Sequence, residues 1–124
     1  MKMSSISGVV CYVKDLDETA AFYEKLGFRL KREANQLTAY VNWFWIIFRE
    51  QDAEERPGGE SEAYRANRGS GTYLYIKVED IQEFYEGVQA LGLKPTTEPT
   101  KKSGMLEFEL PDPDGYNLVF FWKK

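Results

Sequence analysis

The chain has 124 residues, of which 43% are apolar and 15% aromatic, enough for the core of one domain but not of two ordinary ones. A net charge of −4 argues against a nucleic-acid-binding protein, because such proteins carry a basic surface. The apolar runs are too short for a membrane span or a signal peptide, and the single cysteine, Cys11, excludes an internal disulfide. We therefore expect a cytoplasmic protein that binds neither nucleic acid nor membrane.

Histidine is absent from the sequence. This excludes Ser-His-Asp and Cys-His nucleophile pairs and every metal site that depends on imidazole. Any catalysis would have to use carboxylates, tyrosine, lysine or the chemistry of a ligand.

The two halves of the chain are related by a repeat. Three residues recur 65 positions later, in the pairs Val13 and Val78, Asp15 and Asp80, and Gly27 and Gly92. Each aspartate precedes a glutamate by three residues, the spacing of a box that caps the start of a helix. Each glycine can adopt the left-handed conformation that ends a helix. The repeat therefore predicts two equivalent helices, each with an apolar stripe.

Strands are predicted before and after each helix. Their ranges are Ile6–Val13, Phe28–Glu33, Leu37–Val41 and Trp43–Arg49 in the first half, and Thr72–Val78, Lys94–Thr97, Met105–Leu110 and Tyr116–Trp122 in the second. The fold class is α+β, with two βαβββ modules at residues 1–49 and 72–124 of one domain. The polar segment 50–71 is predicted to be a linker or lid between them.

Two motifs carry a resemblance to a known family. Asp15-Leu16-Asp17 leads to Phe22-Tyr23 and Leu26-Gly27-Phe28, and the chain ends with Gly104-Met105, Glu107-Phe108 and Asp112-Pro113-Asp114-Gly115-Tyr116. Together with the two modules, these stretches resemble the vicinal oxygen chelate superfamily, which includes glyoxalase I, extradiol dioxygenases, fosfomycin-resistance enzymes and bleomycin-resistance proteins. The resemblance implies a curved mixed sheet around a cavity, often within a homodimer.

The same resemblance identifies where metal enzymes of the family place their ligands. These positions correspond to Gly8, Tyr73 and Val119, with a fourth in the strand 43–49, at Ile47. Glycine, valine and isoleucine offer no donor, and a tyrosine alone does not hold a divalent metal. We therefore expect no metal, no cofactor and no catalytic residue of the family type.

Strand alternation predicts which side chains face the cavity. With Ile47 on the inner face, that face combines aromatic rings with polar groups, which suits a planar guest. The candidate ligand-binding residues are Tyr12, Trp43, Trp45, Arg49, Tyr73, Tyr75, Lys77, Asn117 and Phe121. The alternative is that these rings fill the concave sheet or a dimer interface.

Two pairs of carboxylates have competing interpretations. Asp112 and Asp114 could bind a hard cation, but Asp-Pro-Asp-Gly is more typical of a turn whose carboxylates accept local N–H bonds. Glu107 and Glu109 alternate on one strand face and are interpreted as solvated. The other interpretation is an acidic rim that attracts cationic ligands.

Three functions remain open from the sequence. The first is a metal-independent protein that binds and sequesters a planar or aromatic compound, similar to bleomycin-resistance proteins. The second is a lyase, isomerase or dioxygenase-type enzyme with a divergent, metal-free site that uses Tyr73, Tyr75 or Lys77 as acid or base. The third is a dimeric interaction module without a small ligand.

Overall fold

The computed structural model describes residues 1–50 and 68–123. The chain divides into two compact units, Met1–Ala66 (unit 1) and Asn67–Lys124 (unit 2). Most of the predicted linker, residues 51–67, lies outside the described residues. The assignment of both units to one domain stays a prediction.

Unit 1 contains one helix and a four-stranded mixed sheet. Its elements are β1 (Gly8–Val13), α1 (Leu16–Lys25), β2 (Arg29–Arg32), β3 (Leu37–Val41) and β4 (Phe44–Glu50). The strands lie in the order β1-β4-β3-β2, and β1 is parallel to β4 while the other pairs are antiparallel. The predicted βαβββ order is confirmed in this unit.

Unit 2 repeats that topology. Its elements are β5 (Tyr73–Lys77), α2 (Ile81–Ala90), β6 (Thr100–Lys102), β7 (Met105–Pro111) and β8 (Asn117–Lys123). The strand order is β5-β8-β7-β6, again with one parallel pair, β5 with β8. The α+β fold of two four-stranded mixed sheets is therefore confirmed.

Both helices begin and end as the repeat predicts. The Oδ1 atom of Asp15 accepts from the N–H groups of Asp17 and Glu18, and that of Asp80 accepts from Glu83. Residues 27 and 92 are glycines with φ of 93° and 82°, in the left-handed region that other residues avoid. Each helix has 10 residues, and within the described ranges no helix is long and apolar enough to cross a membrane.

Aromatic clusters join each helix to one face of its sheet. In unit 1, the Tyr23 ring of α1 lies 4.7 Å from the Phe48 ring of β4, and both residues are fully buried. In unit 2, the Phe84 ring of α2 lies 4.5 Å from Phe120, which packs in turn on Phe108 at 5.3 Å. In each unit, one face of the sheet therefore packs against the helix and forms the core, and the opposite face does not contact that helix.

The prediction of a strand over Lys94–Thr97 is wrong. The strand that pairs with β7 is Thr100–Lys102, and residues 93–99 have no regular structure. Thr96 still donates its N–H to the carbonyl of Glu109 at 2.9 Å, so this segment follows the sheet for a short distance. Pro95 and Pro99 explain the shift, because proline has no N–H to contribute to a ladder.

The Asp-Pro-Asp-Gly segment forms a buried turn. Oδ1 of Asp112 accepts from the N–H groups of Asp114 and Tyr116, at 2.9 Å each. The Asp114 carboxylate lies 3.8 Å from the Arg68 guanidinium, and the Asp114 carbonyl accepts from the N–H of Gly69. The turn interpretation is confirmed for Asp112, whereas the Asp114 carboxylate pairs with Arg68, and the turn holds the chain that enters unit 2.

Candidate functional site

The open face of the unit 2 sheet is opposite the face that packs on α2. Across this face, Tyr73 pairs with Asn117, Tyr75 with Val119, and Lys77 with Phe121. The five candidate residues of unit 2 therefore share one face, with the Tyr75 and Phe121 rings 5.8 Å apart. Tyr73 and Tyr75 expose 54% and 55% of their surface, which is unusual for rings in a sheet.

Strand β7 adds two carboxylates to the same face. Glu107 lies opposite Phe121, and Glu109 lies opposite Val119. Only 6% of Glu107 is exposed, so the interpretation of this strand face as solvated is wrong at that position. The reason is tertiary: β7 lies between β6 and β8, so neighbours on both sides cover a side chain at its centre.

These residues border a pocket of about 370 Å³, which we call the Glu107 pocket. Its lining residues all belong to unit 2 and are Tyr73, Tyr75, Lys102, Ser103, Met105, Glu107 and Glu109. The lining thus combines two exposed phenol rings, a thioether, two carboxylates and one ammonium. Aromatic and apolar surface with a few placed charges is the usual make-up of a small-molecule site.

The turn that borders the pocket was not anticipated from the sequence. β6 and β7 are joined by Ser103 and Gly104, whose φ values of 49° and 79° correspond to a type I′ hairpin turn. Because the strand before β7 was predicted at 94–97, Lys102 and Ser103 were not placed beside Tyr73. The Ser-Gly dipeptide was the signal that could have identified the turn.

The other four candidates belong to unit 1. Tyr12 lies opposite Arg49, and Trp45 lies opposite Gly8, so three of them share one face of the β1–β4 pair. Arg49 donates its Nε–H to Oε1 of Gln36 at 3.3 Å. Trp43 is different: it lies in the turn between β3 and β4 and is 71% exposed, so strand alternation does not fix its direction.

The residues that the resemblance places at the family's metal-ligand positions do not fit a divalent metal. At Gly8, the space that a Cβ atom would need is taken by the indole of Trp45. Val119 is fully buried and offers no donor, and Ile47 lies opposite Val10 in the sheet. Of these four residues, Tyr73 alone has an oxygen in its side chain. Among residues 1–50 and 68–123, no three acidic, cysteine or histidine side chains are grouped as metal ligands would be.

Comparison with known families identifies the chain. A model of the Glyoxalase/Bleomycin resistance protein/Dioxygenase superfamily matches residues 5–120. The chain belongs to this superfamily, and the resemblance stated from the sequence motifs is confirmed. No curated protein sequence matches the chain.

Solved structures share the fold at low identity. A virulence protein from Salmonella typhimurium is 22% identical, with 100% of both chains covered and a TM-score of 0.80. A bleomycin-binding protein complexed with bleomycin is 24% identical over 98% of this chain and 100% of that chain, with a TM-score of 0.69. A fosfomycin resistance protein from Listeria monocytogenes, complexed with Mn(II) and sulfate, is 17% identical over 99% and 93%, with a TM-score of 0.71. These identities establish the shared fold alone.

Proposed function

We propose that this superfamily member binds a planar or aromatic small molecule without a metal ion and sequesters it. The observation that supports this function is the pair of half-exposed rings, Tyr73 and Tyr75, beside a pocket of about 370 Å³. The bleomycin-binding relative shows that the fold can hold an organic ligand. By analogy with it, we propose a role in resistance to a toxic compound.

Stacking alone does not supply the affinity that sequestration needs. An aromatic pair contributes about 0.5–1.5 kcal/mol beyond the burial of area, whereas micromolar binding requires about 8 kcal/mol. Burial of the guest's apolar surface has to provide most of the difference, at about 25 cal/mol per Å². A flat guest that covers Tyr73 and Tyr75 together meets this requirement better than a small polar one.

The metal-independent character rests on the chemistry of the donors. The family's metal positions hold Gly8, Ile47, Tyr73 and Val119, which together offer one phenol oxygen. Zinc, manganese and iron sites use several imidazole, carboxylate or thiolate donors. We therefore propose that binding depends on the pocket's own side chains.

A thermal-shift screen of planar compounds tests the proposal, with metal content measured on the same purified sample. A guest at 100 times its dissociation constant is expected to add about 2.7 kcal/mol of stability. Stabilisation that persists after chelator treatment is the expected result. Stabilisation that is lost with the chelator, or one tightly held metal ion per chain, would contradict the metal-independent function.

The same screen separates the other two functions that the sequence left open. Conversion of a stabilising compound into product would identify an enzyme, and the reaction would then be assigned by variants of Tyr73, Tyr75 and Lys77. If no planar compound stabilises the protein, the exposed rings are better explained as an interaction surface.

We also propose that the protein is a homodimer, as is common in the superfamily. Two-fold assembly is the most frequent way for a small domain to cover an open sheet face. Sedimentation at micromolar concentration is expected to give twice the mass of one chain, and a monomer alone would contradict this proposal.

A further inference from the structure

The geometry points to an organic cation with a flat or apolar body as the guest of the Glu107 pocket, with Glu107 as its counter-ion. This inference rests on the proposed function and names the chemical class of its ligand. Glu107 is a binding residue under this inference; the sequence offered it only within the alternative interpretation of an acidic rim that attracts cationic ligands.

Glu107 is a largely buried side chain without a partner in the described part of the chain. Its exposed fraction is 6%, and its side chain forms no hydrogen bond or ion pair with residues 1–50 or 68–123. Its oxygens are not among the fully buried side-chain atoms that lack a hydrogen-bond partner, so solvent in the pocket reaches them. A ligand that fills the pocket would displace this solvent and would have to supply the carboxylate with a new partner.

Strand alternation fixes the direction of this side chain. Phe108 and Leu110 are buried on the core side of β7, where the Phe108 ring contacts Tyr85 of α2 at 5.2 Å. Met105, Glu107 and Glu109 point the opposite way, and all three line the pocket. The carboxylate of Glu107 is thus directed into the space that the guest would occupy.

The chemistry of the lining favours a positive charge on the guest. A carboxylate can only accept hydrogen bonds, so an ammonium, amidinium or guanidinium group supplies the missing donors. The faces of the Tyr73 and Tyr75 rings attract cations through their quadrupoles. A neutral guest would cover Glu107 without pairing it, and an anionic guest would be repelled by both glutamates.

Lysine side chains near the pocket do not neutralise it. Lys102 lines the pocket, and Lys77 pairs with Phe121, which in turn pairs with Glu107 on the neighbouring strand. Both lysines are exposed, and neither forms an ion pair with the described residues. The pocket lining carries two carboxylates against one ammonium, and the whole chain has a net charge of −4. The charge of the pocket lining and the net charge of the chain therefore both favour a cationic ligand.

Three acridines that share one ring system test the inference by calorimetry at neutral pH. They are N-methylacridinium, which is a permanent cation, neutral acridine, and anionic acridine-9-carboxylate. We expect the cation to bind about tenfold more tightly than acridine, as one desolvated cation–carboxylate and cation–π contact would give. Glu107→Gln, which keeps the shape of the side chain, should remove this preference and leave the affinity for acridine nearly unchanged.

Two further variants control the result. Glu86→Gln makes the same change in net charge on the exposed side of α2, away from the pocket, and should leave all three affinities unchanged. Lys102→Met removes a positive charge beside the guest, and we expect it to strengthen binding of the cation about two- to threefold, the size of an exposed charge–charge term. Weaker binding of the cation to the Lys102 variant would contradict the inference.

The outcomes distinguish the inference from the proposed function. If acridine or its carboxylate binds as tightly as the cation, the cationic class is wrong while the planar-guest function stands. The same conclusion follows if Glu107→Gln retains the preference for the cation. If none of the three compounds binds to the folded protein, the cationic class is wrong, and the proposed function is wrong as well if the thermal-shift screen also finds no planar guest.

Discussion

Replacement of Glu107 by glutamine is expected to make the ligand-free protein more stable. The substitution removes a charge from a largely buried side chain that has no partner within the described residues, and it keeps the volume of the side chain. A fully buried unsatisfied polar group costs about 1–3 kcal/mol, but the Glu107 oxygens keep some contact with solvent, so only part of that cost applies. Glutamine leaves a neutral amide in the same surroundings, and we expect a gain of about 1 kcal/mol.

Urea unfolding measures this gain directly. The midpoint should rise while the slope of free energy against denaturant stays the same, because the area buried by the fold does not change. In thermal unfolding the increase corresponds to several degrees for a chain of this size. Glu86→Gln, an exposed change of the same type, should stay within about 0.5 kcal/mol of the wild-type protein.

A loss of stability in the Glu107 variant would refute the reasoning. It would mean that the carboxylate stabilises the ligand-free protein through a favourable interaction, so that its presence would need no guest to explain it. A gain in stability together with lost affinity for a cationic guest is the pattern of a residue retained for binding at a cost to the fold.

The remaining predictions concern glycines at close contacts and one exposed ring. Gly69→Ala should destabilise unit 2 by about 1–3 kcal/mol in urea unfolding, because the added Cβ meets the backbone at Tyr116, which cannot move aside. Gly8→Ala should cost less, because the three atoms nearest to the added Cβ belong to the indole of Trp45, which is 38% exposed and can swing outward; a red shift of tryptophan emission checks this. Tyr75→Ala should weaken binding of a planar guest about two- to tenfold in calorimetry, whereas Tyr75→Phe keeps the ring and should bind normally. Equal affinities for the two Tyr75 variants would exclude that ring from the site.

Local chemistry explains why so much of the fold was predictable. The aspartate caps at positions 15 and 80 and the glycines at 27 and 92 act within a few residues of themselves, so their spacing determines where each helix starts and stops. Alternation likewise assigns Cys11, Phe48, Leu118 and Phe120 to the core, and the structure buries all of them.

The predictions from sequence were wrong at positions where a strand pattern lies next to residues that favour a turn. The repeat of the first half predicts a strand at 94–97, but the prolines at 95 and 99 and the turn at 103–104 move the strand to residues 100–102. Trp43 continues the alternation of β4 in sequence, yet it lies in the turn that follows the positive φ of Asn42. The alternation of side chains along a strand does not show at which residue the strand ends.

By itself the sequence determined the family, the two βαβββ modules and their caps, because each of these depends on residue type and short-range spacing. Only the tertiary structure decided that Glu107 is buried while Tyr73 and Tyr75 are half exposed, since alternation gives all three the same sheet face. It also brought Lys102 and Ser103 to the pocket through the hairpin turn at 103–104, which the predicted strands did not include. Burial depends on which strands flank a residue and on what lies above it, and those neighbours are distant in the chain: Phe121, opposite Glu107, is joined to it only by the pairing of β7 with β8.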